Sequence, residues 1–322
     1  MLTEKQYLDL ITRALAEIAY PEEPSGLYEP IRYTLDGGGK RLRPTLLLAA
    51  AESCGLEPER AINQAIGLEM FHNFTLLHDD VMDNADKRRG RPTVHVRWNC
   101  PTAILSGDAM LTMATELIAD CPDDKLRPVI TLFNKTAMEI YEGQQYDMDF
   151  EQTPGRVTVE QYMSMIRLKT SVLLGCACQM GALMAGACEK TQKALYNFGE
   201  NLGLAFQLQD DWLDTFGNPE VFGKNIGGDI LNDKQTFLLI DTLNRADAEQ
   251  RAQMEKLAGT RSTDKIAFFT ALYRQTGAEQ ECRRLINHYG AVAIEALTEA
   301  ALPREASDFF SGLARASLTR SK

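Results

Sequence analysis

Residues Ser171 to Cys188 read SVLLGCACQMGALMAGAC, a stretch without a single charged side chain. It only just reaches the length of a membrane span. Gly175, Gly181, Gly186 and Gln179 interrupt it, and Arg167 and Lys169 stand just before it. The stretch therefore reads as a helix buried on all sides inside a large protein core. Residues 200–213 are similarly apolar around most of a helical circumference. Helices of this kind need a wrapping of other helices. The expectation is one large all-α domain covering 1–322.

Helical spacing extends in both directions from this stretch. Tyr7, Leu8, Ile11, Leu15 and Ile18 form one stripe, broken by Pro21 and Pro24, and Ser25 is placed to cap the next helix. Leu27, Ile31 and Leu35 continue to Gly37-Gly38-Gly39, and Pro44 suits a first helical turn. A long apolar helix is expected over about 57–83, followed by a polar loop, NADKRRGRPT. Further helices are expected near 101–119, 125–148, 158–187, 190–216, 234–245, 247–258, 263–276, 278–300 and 303–317. Strand signals are nearly absent.

The 322 residues carry 34 basic against 45 acidic side chains, a net charge of −11, and 44% are hydrophobic. That apolar fraction excludes a disordered chain, and 23 glycines cannot supply a collagen repeat. The acid excess argues against nucleic acid as a partner. The seven cysteines contain no CxxC pair and read as reduced thiols of a cytoplasmic protein. The N-terminus has no apolar secretory segment, so neither a leader nor an integral membrane segment is expected.

Two clusters carry the chemistry: Asp79-Asp80-Val81-Met82-Asp83 and Asp210-Asp211-Trp212-Leu213-Asp214. Each ends an apolar helical stretch. Residues four apart share one helix face at ~5–6 Å, so Asp79 projects with Asp83 and Asp210 with Asp214. Like charges so placed repel, and carboxylates near a helix C-terminus also oppose the helix dipole. Both costs vanish when a cation binds. All-oxygen ligation points to Mg²⁺, which takes one or two carboxylates together with waters and substrate phosphates.

Counter-charges lie close by in sequence. Gly37-Gly38-Gly39-Lys40-Arg41-Leu42-Arg43-Pro44 places three cations after a glycine turn and before a helix, an anion-binding arrangement. Arg88-Arg89-Gly90 follows the first cluster, and paired guanidiniums suit a diphosphate. Lys169-Thr170, Lys224 and Lys234 accompany later apolar helices. His72 lies two turns before Asp79, so the two can face one cavity.

The segments GGGKRLRP, HNFTLLHDDVMDNADKRRGRPTVH, GQQYD, LKT, FQLQDDWLD and FGKNIGGD occur in this order between about Gly37 and Lys234. In that order they resemble the trans-isoprenyl diphosphate synthases of the polyprenyl synthetase family. The resemblance implies an isoprenoid synthase fold, a single large bundle of mostly antiparallel helices around a deep central cavity, and a homodimer. It implies an Mg²⁺-dependent prenyltransferase that condenses isopentenyl diphosphate with dimethylallyl, geranyl or farnesyl diphosphate and releases diphosphate. It further implies three Mg²⁺ ions held by Asp79, Asp83 and Asp210, with Asp80, Asp211 and Asp214 completing the acidic set. Arg88, Lys169, Thr170, Gln207, Lys224 and Lys234 match the allylic diphosphate contacts, with Arg88 and Lys169 counted among the catalytic groups. Lys40, Arg43, His72 and Arg89 match the isopentenyl diphosphate site. The sequence departs from the family pattern around GGDILNDKQTFLL, which lacks the usual glycine before Lys234. The basic end, Arg320-Ser321-Lys322, reads as a frayed terminus.

An aromatic side chain at the position of Phe74 limits product length in the family. It lies ~7.5 Å down the helix axis from Asp79, with Phe71 one turn further, so short C15–C20 products are expected. A terpene cyclase shares the acidic motif but has no use for Lys40, Arg43 and Arg89. A non-catalytic partner subunit would lack one of the two motifs. A membrane-associated scaffold would need a basic amphipathic helix, which is absent here.

Overall fold

The computed structural model describes residues 1–153, 155–217 and 226–318. Lys224 and Arg320 to Lys322 lie outside the described residues. In chain order the elements are α1 (Glu4–Ala16), α2 (Ser25–Leu35), α3 (Leu42–Ser53), a 3-10 turn (Pro58–Ala61), α4 (Ile62–Met82), β1 (Lys87–Arg88), β2 (Arg91–Pro92), α5 (Val94–Arg97), α6 (Cys100–Ala119) and α7 (Asp123–Glu151). Then follow α8 (Val159–Ile166), a π-helical turn (Arg167–Ser171), α9 (Val172–Met184), α10 (Glu189–Phe216), α11 (Gly228–Leu231), α12 (Phe237–Arg245), α13 (Ala248–Leu257), α14 (Thr263–Gln275), α15 (Ala278–Ala300) and α16 (Arg304–Leu318). The fold is all-α, as the periodicity predicts. Among the described residues no helix is long and apolar enough to cross a membrane.

The chain divides into two compact units. One comprises Met1–Phe133 and Ala177–Lys193, the other Asn134–Cys176 and the chain from Ala194 onward. In the first unit, α4 and α6 run antiparallel at close range. A side chain on Gly67 would meet Ile118 at 2.8 Å and the Ala114 carbonyl at 3.0 Å. At the other end, one on Gly107 would lie 2.2 Å from His78 Nε2, so the imidazole fills the room that the glycine leaves. Helix α3 is buried from Pro44 through Ala51. Its backbone touches the end of α9, where a Cβ on Gly181 would sit 2.1 Å from the Leu47 carbonyl oxygen.

The second unit is built on Tyr162, Met165, Leu208, Phe237, Leu238, Phe269 and Ile286, all buried. Lys265 is fully buried there. It donates to Asp233 Oδ1 at 2.7 Å and to the Thr260 carbonyl at 3.2 Å, which fixes the turn before α12.

Three features differ from the expectation. The loop 84–93 contains a hairpin pairing Lys87 with Pro92 and Arg88 with Arg91. Its tip, Arg89 and Gly90, has positive φ at both residues, the turn that matches strand twist. Two-residue strands are too short to reveal alternation. The expected helix over 158–187 is interrupted at Arg167–Ser171, where the bonding widens to five residues and the Val172 N–H reaches the Arg167 carbonyl. Ser25 does not cap α2. The Glu23 carboxylate does, accepting from the Ser25 N–H at 2.9 Å.

Gly181→Ala forces a methyl group into the α3 backbone. It is expected to cost about 1–3 kcal/mol by overpacking, read as a lowered midpoint in thermal or urea unfolding. An unchanged midpoint would show that the contact relaxes freely.

Candidate active site

The first acidic turn closes α4. Asp80 is buried, Asp79 is half-buried and Asp83 is exposed. The Asp80 carboxylate accepts from Arg88 Nε at 2.7 Å. Burial pushes its carboxyl above the ordinary range, and the Arg88 guanidinium pulls against that shift. The hairpin is latched further by Thr93, whose hydroxyl donates to the Ala85 carbonyl at 2.7 Å. Tyr33 holds its far side. The Tyr33 hydroxyl donates to the Pro92 carbonyl at 2.7 Å, and the Arg91 guanidinium lies 3.8 Å from the ring centroid.

Arg89, at the hairpin tip, donates to the Gly38 carbonyl. A Cβ on Gly39 would fall 2.9 Å from Arg89 Nη2, so the glycine turn leaves space for the guanidinium. Of the three cations after that turn, Arg41 points inward. It pairs with buried Glu69 at 2.5 Å and donates to the Leu35 carbonyl at 2.6 Å, so it holds the fold. Lys40 is exposed. Arg43 Nη1 lies 3.1 Å from His72 Nε2. Burial first, and then the cations Arg43, Arg89, Arg88 and Arg41, hold the His72 imidazole well below its usual pKa. His72 is therefore neutral, with Nε2 accepting from Arg43. A pocket in this unit is lined by Tyr33, Gly37, Leu76, Asp80, Arg88 and Arg89 among others.

Phe74 and Phe71 pack with ring centroids 5.6 Å apart, and Phe71 is edge-on to Phe133 at 5.1 Å. Phe71 is wholly enclosed and Phe74 lies over it, next to His78.

The second acidic turn lies near the end of α10. Asp210 and Asp214 are half-buried, and Asp211 is buried. Asp211 accepts from the Tyr162 hydroxyl, from Gln207 Nε2 at 3.2 Å and from the Phe237 N–H at 3.4 Å. Burial and the neighbouring Asp229 carboxylate push its pKa up to about 7, against the pull of Tyr162, Lys234 and Gln207. Asp214 Oδ2 accepts from the Asp229 N–H at 2.9 Å, which fixes the start of α11. Thr170 donates to Gln207 at 3.2 Å, and Lys169 Nζ lies 2.5 Å from Asp147 Oδ2.

One pocket gathers Asp147, Tyr162, Lys169, Thr170, Gln207, Asp211 and Lys234. Of these, Asp147 and Tyr162 carry no role that the residues alone predict. Asp147 ends the segment GQQYD, whose spacing does not reveal the ion pair with Lys169. No spacing rule links Tyr162 to Asp211. Lys224 lies outside the described residues.

Among the described residues no group of three or more His, Cys, Asp or Glu side chains forms a ready-made metal site. Each acidic turn instead offers a pair of carboxylates four residues apart that are not fully buried. That donor set suits a hard cation whose shell is completed by water and phosphate oxygens.

The family model described as polyprenyl synthetase matches residues 24–275. The chain is 40% identical over 237 residues to geranylgeranyl diphosphate synthase of Methanosarcina mazei, covering 73% of each. It matches a crystal structure of geranylgeranyl pyrophosphate synthase at 42% identity and TM-score 0.94, with all of both chains covered. It also matches the Corynebacterium glutamicum geranylgeranyl pyrophosphate synthase complexed with isoprenyl diphosphate and magnesium. There the identity is 29% and the TM-score 0.84, over 98% of this chain and 96% of that one.

A depressed imidazole pKa has a consequence for stability. The unfolded chain takes up a proton at His72 near pH 6.5 and the native chain does not. The contribution is therefore full above that pH and is lost as pH falls below it. His72→Gln should flatten the fall in melting temperature between about pH 7 and pH 5. Superimposable slopes for the two proteins would contradict the assignment.

Proposed function

The chain belongs to the polyprenyl synthetase family and is a prenyltransferase, and from that premise we propose that it condenses isopentenyl diphosphate with dimethylallyl, geranyl and farnesyl diphosphates. The products are short trans-prenyl diphosphates, with C20 the main one. The observation that carries this reading is the second-unit pocket, which gathers Lys169, Thr170, Gln207 and Lys234 around a carboxylate turn. Such a cationic, hydroxyl-bearing lining suits a diphosphate. The C20 assignment draws on the 40% identity to a geranylgeranyl diphosphate synthase.

In this reading Arg88, Lys169, Thr170, Gln207, Lys224 and Lys234 take the allylic diphosphate. Lys40, Arg43, His72 and Arg89 take isopentenyl diphosphate. Neutral His72, bonded to Arg43 through Nε2, orients that guanidinium. Asp79, Asp83 and Asp210 would hold Mg²⁺, while Asp80 and Asp211 act through the groups they bond and Asp214 through the start of α11. When bound, magnesium offsets negative charge on the diphosphate and so favours its departure. Arg88 and Lys169, already fixed by Asp80 and Asp147, donate to diphosphate oxygens as charge builds up on them. The apolar side chains Met165 and Ile166, which line the same pocket as Lys169, keep water from the allylic carbon. The isopentenyl double bond then attacks that carbon, and the departing diphosphate accepts the proton lost from the adduct.

We take residues 1–322 as one catalytic domain that works as a cytoplasmic homodimer. The full-length match at TM-score 0.94 supports a single domain. Exposed Ile104 and Leu105 on α6 offer apolar surface for a second copy. All seven cysteines are thiols, as suits the cytoplasm.

Purified protein with Mg²⁺, isopentenyl diphosphate and each allylic starter should yield C20 diphosphate, sized by chromatography after dephosphorylation. Hydrocarbon formed from an allylic diphosphate alone would identify a cyclase instead, and no elongation in any mixture would end the proposal. Phe74→Ala removes the ring that lies over Phe71. It should lengthen the product by at least one isoprene unit, and an unchanged chain length would free Phe74 from that role.

A further inference from the structure

Lys169 stands on the π-helical turn Arg167–Ser171, and that turn is held from two sides by backbone contact. On α7, a Cβ added to Gly143 would lie 2.3 Å from the Lys169 amide nitrogen and 2.8 Å from both Lys169 Cα and the Leu168 carbonyl carbon. On α10, a Cβ on Gly203 would lie 2.5 Å from Ser171 Cα. These neighbours are main-chain atoms, so no side-chain rotation relieves the clash. One turn beyond Gly143, on the same face of α7, Asp147 holds Lys169 Nζ at 2.5 Å. Buried Ser171 completes the turn by donating its hydroxyl to the Ile166 carbonyl at 3.3 Å.

We infer that Gly143 is a positioning residue for the reaction. Its missing side chain admits the Lys169 backbone against α7, and Asp147 then aims the ammonium group into the pocket. Gly143 and Asp147 thus form one cradle, with a gap for the main chain and a charge for the side chain. The wider bonding of the turn takes up the extra residue that the close approach requires. The inference rests on the proposal that Lys169 contacts the allylic diphosphate.

The test is a double-mutant cycle of Gly143→Ala with Lys169→Ala, read as steady-state constants for each substrate and as direct binding of the allylic diphosphate. Gly143→Ala should lower kcat/KM for the allylic diphosphate about 10- to 100-fold, the loss that a misplacement of about 1 Å produces. KM for isopentenyl diphosphate and the circular dichroism spectrum should not change. In the Lys169→Ala background the same substitution should add less than about twofold. An unaltered allylic constant in Gly143→Ala would overturn the inference. So would an equal loss in both backgrounds, or a rise in both KM values together, as general loosening gives. Should Gly143→Ala fail to fold, Asp147→Asn, which adds no heavy atom, goes through the same cycle. Its loss must vanish without Lys169, and a persistent or absent loss refutes the cradle. If Lys169→Ala alone leaves allylic binding intact, the functional assignment of Lys169 is what has failed.

Discussion

A carboxylate drawn out of water needs a donor to meet it, and that constraint organises both acid-rich turns. In each, the second aspartate is turned inward and bonded, Asp80 to Arg88 and Asp211 to Tyr162, Gln207 and the Phe237 N–H. The first and last aspartates keep more contact with solvent. The buried member therefore sets the position of its neighbours. In the first turn it also orients the Arg88 guanidinium. Removing such a partner leaves a buried charge unmet, which costs more than the pair itself contributes.

The second organising feature is close approach of main chains. Gly181 against α3, Gly67 and Gly107 between α4 and α6, and Gly143 and Gly203 around the π-helical turn all bring backbone where a side chain would stand. Contacts of this kind are stiff, because no rotamer change yields. They keep apolar helices in register with one another.

Much of this is legible in the residues. The apolar run at Ser171–Cys188 and the 3.6-residue stripes locate the helices, because burial on one face or on all faces leaves a periodic trace. The two acidic clusters, the glycine turn and Arg88-Arg89 can be read because their spacing is local. What could not be read depends on long-range partners. Arg41 looks like its neighbours Lys40 and Arg43 until Glu69, on another helix, claims it. Tyr162 and Asp147 gain meaning only from Asp211 and Lys169. The π-helical turn lies against Gly143 and Gly203 on other helices, and no period in its own sequence announces it.

The proposed chemistry requires the carboxylate pairs to bind a diphosphate through a divalent cation. Calorimetric titration of the purified chain with an allylic thiolodiphosphate, which does not ionise readily, tests this without relying on turnover. Binding should be tight with Mg²⁺ present and weaker by about 100-fold or more when the metal is chelated, consistent with a metal-bridged ion pair. Equal affinity with and without the metal would contradict the account.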